Sequence, residues 1–253
     1  MQRHLYLDIE TIPAQRPDVM SDISASLQSK LDADIAAVKP PGNYKKQETI
    51  DSWMAEEQPK AVQALRDCFD ADVDAAYRKT GLDGAFGQVC VIGWALDDGE
   101  CNSEHFRNYA GINAEKELFS IFHEQLANAI PRADELSTTI IGHNVANFDL
   151  RFLVQRHIVN GIRPHGIIAR ASQAKPWETD RVYDTMVQWA GIGRTISLDR
   201  LCKALSVPTP KGCITGATVW DEVKAGRIDD VAAYCAADVN ATREVHKRLT
   251  FAA

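Results

Sequence analysis

The pattern of apolar and polar positions changes character twice along the first hundred residues. Residues 3–9 form a mainly apolar run that predicts a strand. Residues 14–85 instead place apolar side chains at helical spacing on both sides of a Pro- and Gly-containing turn at 40–43. An apolar segment at 88–96, followed by a turn and a second segment at about 103–107, predicts that the sheet resumes as a hairpin.

The second half of the chain predicts helices that alternate with short strands. The predicted helices lie near 113–130, 148–160, 185–190, 197–206, 217–225 and 228–249, and the predicted strands at 138–142 and 182–183. The stretch 164–181, which contains Pro, Ala and basic residues, predicts a mobile loop. This order predicts an α/β fold with a mixed sheet, an antiparallel hairpin plus parallel strands, flanked by helices. A helical insertion at about 14–85 follows the first strand.

Composition is typical of a globular protein in a reducing compartment. The 253 residues are 45% hydrophobic, enough for one large domain or two small ones, and no apolar run of about 18 residues predicts a membrane span. The six cysteines form no Cys-x-x-Cys pair, which favours free thiols, and no signal-peptide pattern is present. We therefore expect a cytoplasmic protein that does not bind membranes. The net charge of −7 argues against a broad surface that coats nucleic acid, but not against a locally basic groove.

Carboxylates interrupt apolar segments at three places. Asp8 and Glu10 end the first predicted strand, Asp149 follows a later buried strand, and Asp238 lies four residues after Tyr234 in the last predicted helix. Removing a charge from water costs several kcal/mol unless the charge is paired or binds a metal. Residues two apart on a strand, or four apart on a helix, share a face. The three segments together predict one shared cation site, because a divalent cation offsets the repulsion between carboxylates.

Each motif has a simpler interpretation when it is taken alone. In a chain with 35 acidic residues, an Asp-x-Glu pattern such as that of Asp8 and Glu10 also arises by chance. The pair Tyr234 and Asp238, considered by itself, is more typical of a surface contact. No Ser/His/Asp or Cys/His set emerges from the sequence, which disfavours a covalent route.

Taken together and in chain order, the motifs resemble the DEDD superfamily of 3′–5′ exonucleases, in its tyrosine-bearing (DEDDy) branch. The motifs are Leu7-Asp8-Ile9-Glu10-Thr11-Ile12-Pro13, Gly142-His143-Asn144 through Phe148-Asp149, Ser197-Leu198-Asp199, and Tyr234-Cys235 through Asp238-Val239. In this detail they are similar to stand-alone exonucleases related to the proofreading domain of family-B DNA polymerases. The resemblance covers the first dozen residues and about 86–249, and it is weak over the insertion. It implies a ribonuclease-H-like fold and a single 3′–5′ exonuclease domain over 1–253.

The resemblance also implies a catalytic site that binds two metal ions. Asp8, Glu10, Asp149 and Asp238 would bind two divalent cations, Mg²⁺ or Mn²⁺, with Asp8 between them. Tyr234 would orient the attacking water as a protonated phenol, because the ordinary pKa of tyrosine is near 10. The expected reaction is hydrolysis of single-stranded or frayed DNA ends to 5′-mononucleotides.

The same resemblance suggests which residues bind substrate and which partners to expect. Thr11, Asn144 and Phe148 would line the groove for the terminal nucleotide, although a simple core contact is an equal interpretation of Phe148. The partner would be a 3′ end of single-stranded DNA, and RNA stays open because a contact to the 2′-hydroxyl cannot be read from sequence. A DNA polymerase or repair machinery would act in trans. A non-catalytic module that binds nucleic-acid ends is the alternative from another class.

Further polar residues have two interpretations each. His143 is predicted to hold a strand end, rather than to act as a base, and Asp184 to cap a helix, rather than to be a fifth carboxylate ligand. In the insertion, Lys45 and Lys46 would contact a nucleic-acid strand, or the insertion is a helical cap that only packs. The residues that would contact phosphates, or else stay solvated, are Arg151, Arg156, Arg163, Arg170, Lys175 and Lys211.

Overall fold

The computed structural model describes residues 2–106, 113–209 and 214–252. At its centre is a five-stranded sheet with the strand order β3-β2-β1-β4-β5. The strands are β1 (Arg3–Ile12), β2 (Gln88–Leu96), β3 (Asn102–His105), β4 (Thr138–Gly142) and β5 (Val182–Asp184). The pairs β1–β2 and β2–β3 are antiparallel, whereas β1–β4 and β4–β5 are parallel. This mixed sheet confirms the predicted ribonuclease-H-like α/β fold.

Ten α-helices within the described residues flank the sheet or belong to the insertion. They are α1 (Pro17–Ala37), α2 (Gln47–Asp67), α3 (Phe69–Lys79), α4 (Ala114–Ala129), α5 (Asp149–Val159), α6 (Gly166–Ala171), α7 (Thr185–Ala190), α8 (Leu198–Ala204), α9 (Val219–Lys224) and α10 (Ile228–Leu249). Helix α6 corrects the prediction of a loop throughout 164–181. Its residues Ile167 and Ile168 are fully buried, and the His165 ring accepts a hydrogen bond from the Ile167 N–H. A helix of six residues is too short for its apolar period to be visible in the sequence.

The two faces of β1 have different neighbours. Leu5, Leu7 and Ile9 pack into the main apolar core with residues of α4, α5 and α6. Asp8 and Glu10 point the other way, because successive side chains on a strand alternate between the faces of the sheet. That second face is covered by α10, which contacts both β1 and β2.

Gly93 allows α10 to approach the sheet closely. It lies opposite Asp8 in the β1–β2 register, and a Cβ atom at this position would be 2.7 Å from Sγ of Cys235. Side chains in close-packed interiors do not approach each other so closely, so a larger residue would displace the helix. The absence of a side chain at Gly93 thus brings the polar residues of α10 next to Asp8.

The insertion contains α1, α2 and α3, which confirms the prediction of a helical segment. Its base is bonded to the end of β1: the Thr11 hydroxyl donates to the carbonyl of Gly81 at 2.7 Å, and the Ala14 N–H donates to Oγ1 of Thr80 at 2.9 Å. Beyond this base, α1 buries only Val19 and α2, which is described in full, buries no residue. The insertion is therefore anchored beside the end of β1 and is mostly exposed elsewhere.

Two further structural features concern membranes and thiols. Across the described ranges, no helix is both long and apolar enough to cross a bilayer. The cysteines at 68, 90, 101, 202 and 235 are free, in agreement with the prediction of free thiols. Cys213 lies outside the described residues.

Candidate active site

The central strand β1 carries Asp8 and Glu10 on the face that α10 covers. Asp8 is half-buried and Glu10 is buried. One carboxylate oxygen of each residue and Sγ of Cys235 all lie within 4.8 Å of one another. Cys235 lies within the last sequence motif, but no role at the site was predicted for it. Its i, i+3 spacing from Asp238 could have indicated that both residues share one face of α10.

Asp149 reaches this cluster from the first turn of α5. Its side chain is buried, and Oδ1 accepts a hydrogen bond from the backbone N–H of Ile9 at 3.0 Å. The turn that leads from β4 to α5 packs tightly against β1, since a Cβ atom on Gly142 would be 2.4 Å from Cβ of Val145 and 2.9 Å from the carbonyl oxygen of Leu7. A glycine at this position allows the close packing that brings Asp149 to the backbone of β1.

Tyr234 and Asp238 lie one turn apart on α10, so that their side chains share one face of the helix. Burial, followed by the charge of Asp238, raises the pKa of the Tyr234 phenol far above its usual value. The phenol is therefore protonated at neutral pH and can donate a hydrogen bond. It is poorly suited to act as a base.

Burial raises the pKa of all four carboxyl groups, and the charges of the neighbouring carboxylates of the cluster add to this effect for Asp8 and Glu10. Burial is the largest cause of a raised pKa for each of them, and it raises the pKa of Asp149 to about 7 and that of Asp238 to about 6. The pKa of Asp8 lies well above its usual range because the charges of Asp149, Glu10 and Asp238 add to burial. The pKa of Glu10 is raised by burial and then by Asp238 and Asp149. The structure thus brings together all four carboxylates singled out in the sequence.

The donor set fits a hard divalent cation. Among the ion pairs of the described residues, none joins a lysine or arginine to Asp8, Glu10, Asp149 or Asp238. Carboxylate oxygens are the ligands that Mg²⁺ and Mn²⁺ prefer. Burial raises the pKa of the Cys235 thiol, so it remains a thiol and donates to Asp8 rather than offering a thiolate.

The three side chains predicted to bind substrate have other partners as well. Thr11 is engaged with Gly81 at the base of the insertion. Asn144 adopts a positive φ of 64°, and its backbone N–H donates to Oδ1 of Asp184 at 3.0 Å. Phe148 is half-buried and packs against Phe152 with ring centroids 5.5 Å apart, which is the core contact considered for it. Their role in binding a nucleotide stays a prediction.

His143 and Asp184 support the backbone around the site. The two ring nitrogens of His143 are bonded to Oγ1 of Thr185 at 3.0 Å and to the carbonyl of Ile196 at 2.8 Å, and burial lowers its pKa. This neutral ring holds the end of β4, as predicted. The Asp184 carboxylate accepts from the N–H groups of Asn144 and Ala146 and caps α7, which confirms the predicted cap.

The structure separates the basic residues that follow Asp149 into two groups. Arg156 is buried and binds Glu115 at 2.7 Å, whereas Arg170 donates to the carbonyls of Glu135 and Thr138. For these two residues the predicted phosphate contact is wrong, because their guanidinium groups already bind protein oxygens. The exposed residues of the set are Arg151, Arg163 and Lys175, and Lys211 lies outside the described residues.

The strand order, with buried carboxylates gathered on its central strand, is the architecture of ribonuclease-H-like exonuclease domains. Residues 85–252 match a family described as predicted 3′–5′ exonucleases related to the exonuclease domain of PolB, and the chain belongs to this family. The matched segment contains Asp149, Tyr234 and Asp238 but not Asp8 or Glu10.

A solved structure gives the same fold. The chain is similar to the family B DNA polymerase from the hyperthermophilic archaeon Pyrobaculum calidifontis, with a TM-score of 0.54 and 13% sequence identity. The similarity covers 99% of this chain and 25% of the polymerase chain. At this identity the likeness concerns the fold, and the chain spans about a quarter of the polymerase it matches. No curated protein matches the chain.

Proposed function

We propose that this protein is a metal-dependent 3′–5′ exonuclease of the DEDDy type that removes 5′-mononucleotides from single-stranded or frayed DNA ends. One observation carries the proposal: four carboxylates from β1, α5 and α10 gather at one place with raised pKa values and without a lysine or arginine partner in the described residues. Membership of the exonuclease family supports the reaction class.

In this proposal Asp8, Glu10, Asp149 and Asp238 hold two divalent cations, Mg²⁺ or Mn²⁺. When bound, the cations supply the positive charge that makes water nucleophilic and stabilises the leaving 3′ oxygen. The chain contributes fixed geometry. The Ile9 N–H holds Asp149, and the Cys235 thiol holds Asp8, so neither carboxylate has to be reoriented when a substrate binds.

Tyr234 has a separate role in the proposal. Its phenol remains protonated beside Asp238, so it can orient a water molecule through a hydrogen bond while the carboxylates carry the charge. Thr11, Asn144 and Phe148 surround the position of the terminal nucleotide in this arrangement.

The proposal is tested with labelled single-stranded DNA, duplex DNA and RNA, each incubated with Mg²⁺, Mn²⁺ or excess EDTA. We expect a ladder of shortening 5′-labelled products with Mg²⁺ or Mn²⁺, and no products with EDTA. Asp8→Ala and Asp238→Ala should each abolish turnover and keep the circular dichroism of the folded protein, because losing a repelling charge does not unfold it.

Four outcomes would contradict the proposal. Full cleavage in excess chelator would exclude the cation site as the catalytic centre. Cutting of a circular single strand would indicate an endonuclease. Binding of 3′ ends without turnover under any condition would favour the alternative function, a non-catalytic module that binds nucleic-acid ends. Faster degradation of RNA than of DNA would make the protein an exoribonuclease.

A further inference from the structure

A cleft of about 350 Å³ lies beside the turn that carries Asp149, and we call it the α5–α7 cleft. It is bounded by the start of α5, the segment after α6, and α7 with the loop that follows it. The residues of its lining used below are Asn147, Arg151, Lys175, Asp184, Val187 and Ile192. None of the residues proposed above to bind cations or the terminal nucleotide lines this cleft.

The cleft offers two cationic groups and no available carboxylate. Arg151 and Lys175 are both exposed, and neither forms a salt bridge with any described residue. Asp184 is the one acidic residue of the lining, and its oxygens accept four backbone N–H groups. Glu178 nearby accepts from the Lys175 backbone N–H and lies 3.6 Å from Nη1 of Arg181. This charge distribution suits a polyanion.

A large aromatic ring, outside the cleft lining itself, lies beside one of these cations, Lys175. Trp177 is 72% exposed, and Nζ of Lys175 lies 5.5 Å from the centre of its ring. Val187 and Ile192 add apolar surface to the cleft. Exposed aromatic rings interleaved with basic side chains are the usual means of binding single-stranded nucleic acid, since bases stack on the rings and phosphates meet the cations.

The position of the cleft relates it to the carboxylate site. Asn147 and Arg151 lie on either side of Asp149 in sequence, and β5, which borders the cleft, is two strand spacings, or about 10 Å, from β1. When a 3′ terminus is bound at the metal site, the rest of the strand extends from that terminus only in the 5′ direction. A cleft at this distance is therefore within reach of the nucleotides that immediately precede the terminal one.

We propose that the α5–α7 cleft binds the single-stranded segment on the 5′ side of the terminal nucleotide. Arg151 and Lys175 contact its phosphates, and Trp177 stacks on one of its bases. The direction of the bound strand in this proposal rests on the proposed exonuclease function, but binding to the cleft can be measured without cleavage.

The test measures the dissociation constant for a fluorescently labelled ten-nucleotide thymidine strand in EDTA, at several salt concentrations. Trp177→Ala should weaken binding roughly 5- to 100-fold, and Trp177→Phe, which keeps a stacking surface, should restore most of it. The double variant R151A/K175A should lower the slope of log affinity against log salt by about 0.7 for each lost phosphate contact. Arg163→Ala is the matched control, since Arg163 is also exposed and lies outside the cleft lining, and it should behave as the wild type.

A second measurement separates this inference from the proposed function. With Mg²⁺, the cleft variants should raise KM for the ten-nucleotide strand and leave hydrolysis of a dinucleotide unchanged. If the wild-type protein cleaves nothing but binding still depends on Trp177, the exonuclease function fails and the cleft proposal stands. If every variant binds within twofold of the wild type at all salt concentrations, the exposed Trp177 surface serves a protein contact and the cleft proposal is wrong.

Discussion

The Cys235 thiol donates a hydrogen bond to the Asp8 carboxylate, with Sγ 3.3 Å from Oδ2, and so connects the last helix to the first strand. Cys235 is fully buried, and Gly93 leaves the space that its sulfur occupies. A thiol is a weak donor, but it is fixed by packing on a rigid helix. Asp8 is thereby oriented before any cation binds.

Replacing Cys235 should weaken the binding of cations at the site more than it lowers the turnover rate of the enzyme. Loss of one weak hydrogen bond, about 0.5–1 kcal/mol, should raise the half-saturating Mg²⁺ concentration of C235A about two- to fivefold. The kcat at saturating Mg²⁺ should stay close to that of the wild type, and C235S should recover much of the affinity. Cys202→Ala is the control, because Cys202 is also buried but packs in a separate apolar cluster. Equal defects in C235A and C235S would assign Cys235 to packing alone.

Tyr234→Phe tests the role of the phenol. If Tyr234 orients water by donating a hydrogen bond, the variant should lower kcat about ten- to a hundredfold, or about 1.4–2.7 kcal/mol, and leave KM nearly unchanged. Asp238→Ala should cause a much larger loss, because it removes a proposed cation ligand. Single-turnover rates on a short DNA strand measure both effects. An unchanged rate for Tyr234→Phe would assign this tyrosine to packing.

The raised pKa of Asp149 predicts how the stability of the cation-free protein depends on pH. A carboxyl group whose pKa is higher in the folded state stabilises the fold fully below its unfolded pKa and loses this contribution as pH rises through its folded pKa. For Asp149 this window runs from its usual value of 3.8 to about 7. Asp149→Asn should therefore be more stable than the wild type at pH 8 in EDTA, by on the order of 4 kcal/mol, and about equally stable near pH 4.

Denaturant unfolding at both pH values measures this difference in the free energy of unfolding. Asp180→Asn is the control, because Asp180 is exposed and lies outside the carboxylate cluster, so it should leave the pH dependence unchanged. Added Mg²⁺ should stabilise the wild type at pH 8 and reduce the advantage of Asp149→Asn. A wild-type protein whose stability rises between pH 5 and pH 8 by as much as that of the variant would contradict the prediction.

We predict that the insertion supplies a second surface for a longer strand. Lys45 and Lys46 lie in the exposed connection between α1 and α2, and α1, with 21 residues, extends for about 30 Å from its start near the anchor at Gly81. We predict that they contact phosphates, so that K45A/K46A raises KM for long single strands and lowers the salt slope by about 0.7 per contact. Hydrolysis of a dinucleotide should hardly change.

Strand length distinguishes the insertion from the α5–α7 cleft. Replacing Lys45 and Lys46 should affect strands of several tens of nucleotides more than a strand of ten, whereas R151A/K175A should affect both. If KM and salt slope stay unchanged for every strand length, the insertion is a helical cap, and the basic residues after Asp149 hold the strand without it.

The local pattern of residues in the sequence predicted the bounds of a strand well where burial is continuous along that strand. The predicted bounds of β2 and β4 coincide with Gln88–Leu96 and Thr138–Gly142, and both strands are buried along nearly their whole length. β1 continues to Ile12, three residues beyond its predicted end, because backbone pairing with β2 extends it past Glu10 through an irregular register. Such pairing depends on the neighbouring strand and leaves no periodic signal in β1 itself.

The sequence by itself determined the α/β class, the helical insertion and which acidic residues interrupt apolar segments, because each of these depends on neighbours within a few positions. The tertiary structure decided which partners meet across long separations. It joins Asp149 to Ile9 and Cys235 to Asp8, and it pairs Arg156 with Glu115 inside the core, so that this arginine cannot bind a phosphate. Periodicity reports the face on which a side chain lies, whereas a contact between distant residues depends on how closely two elements pack.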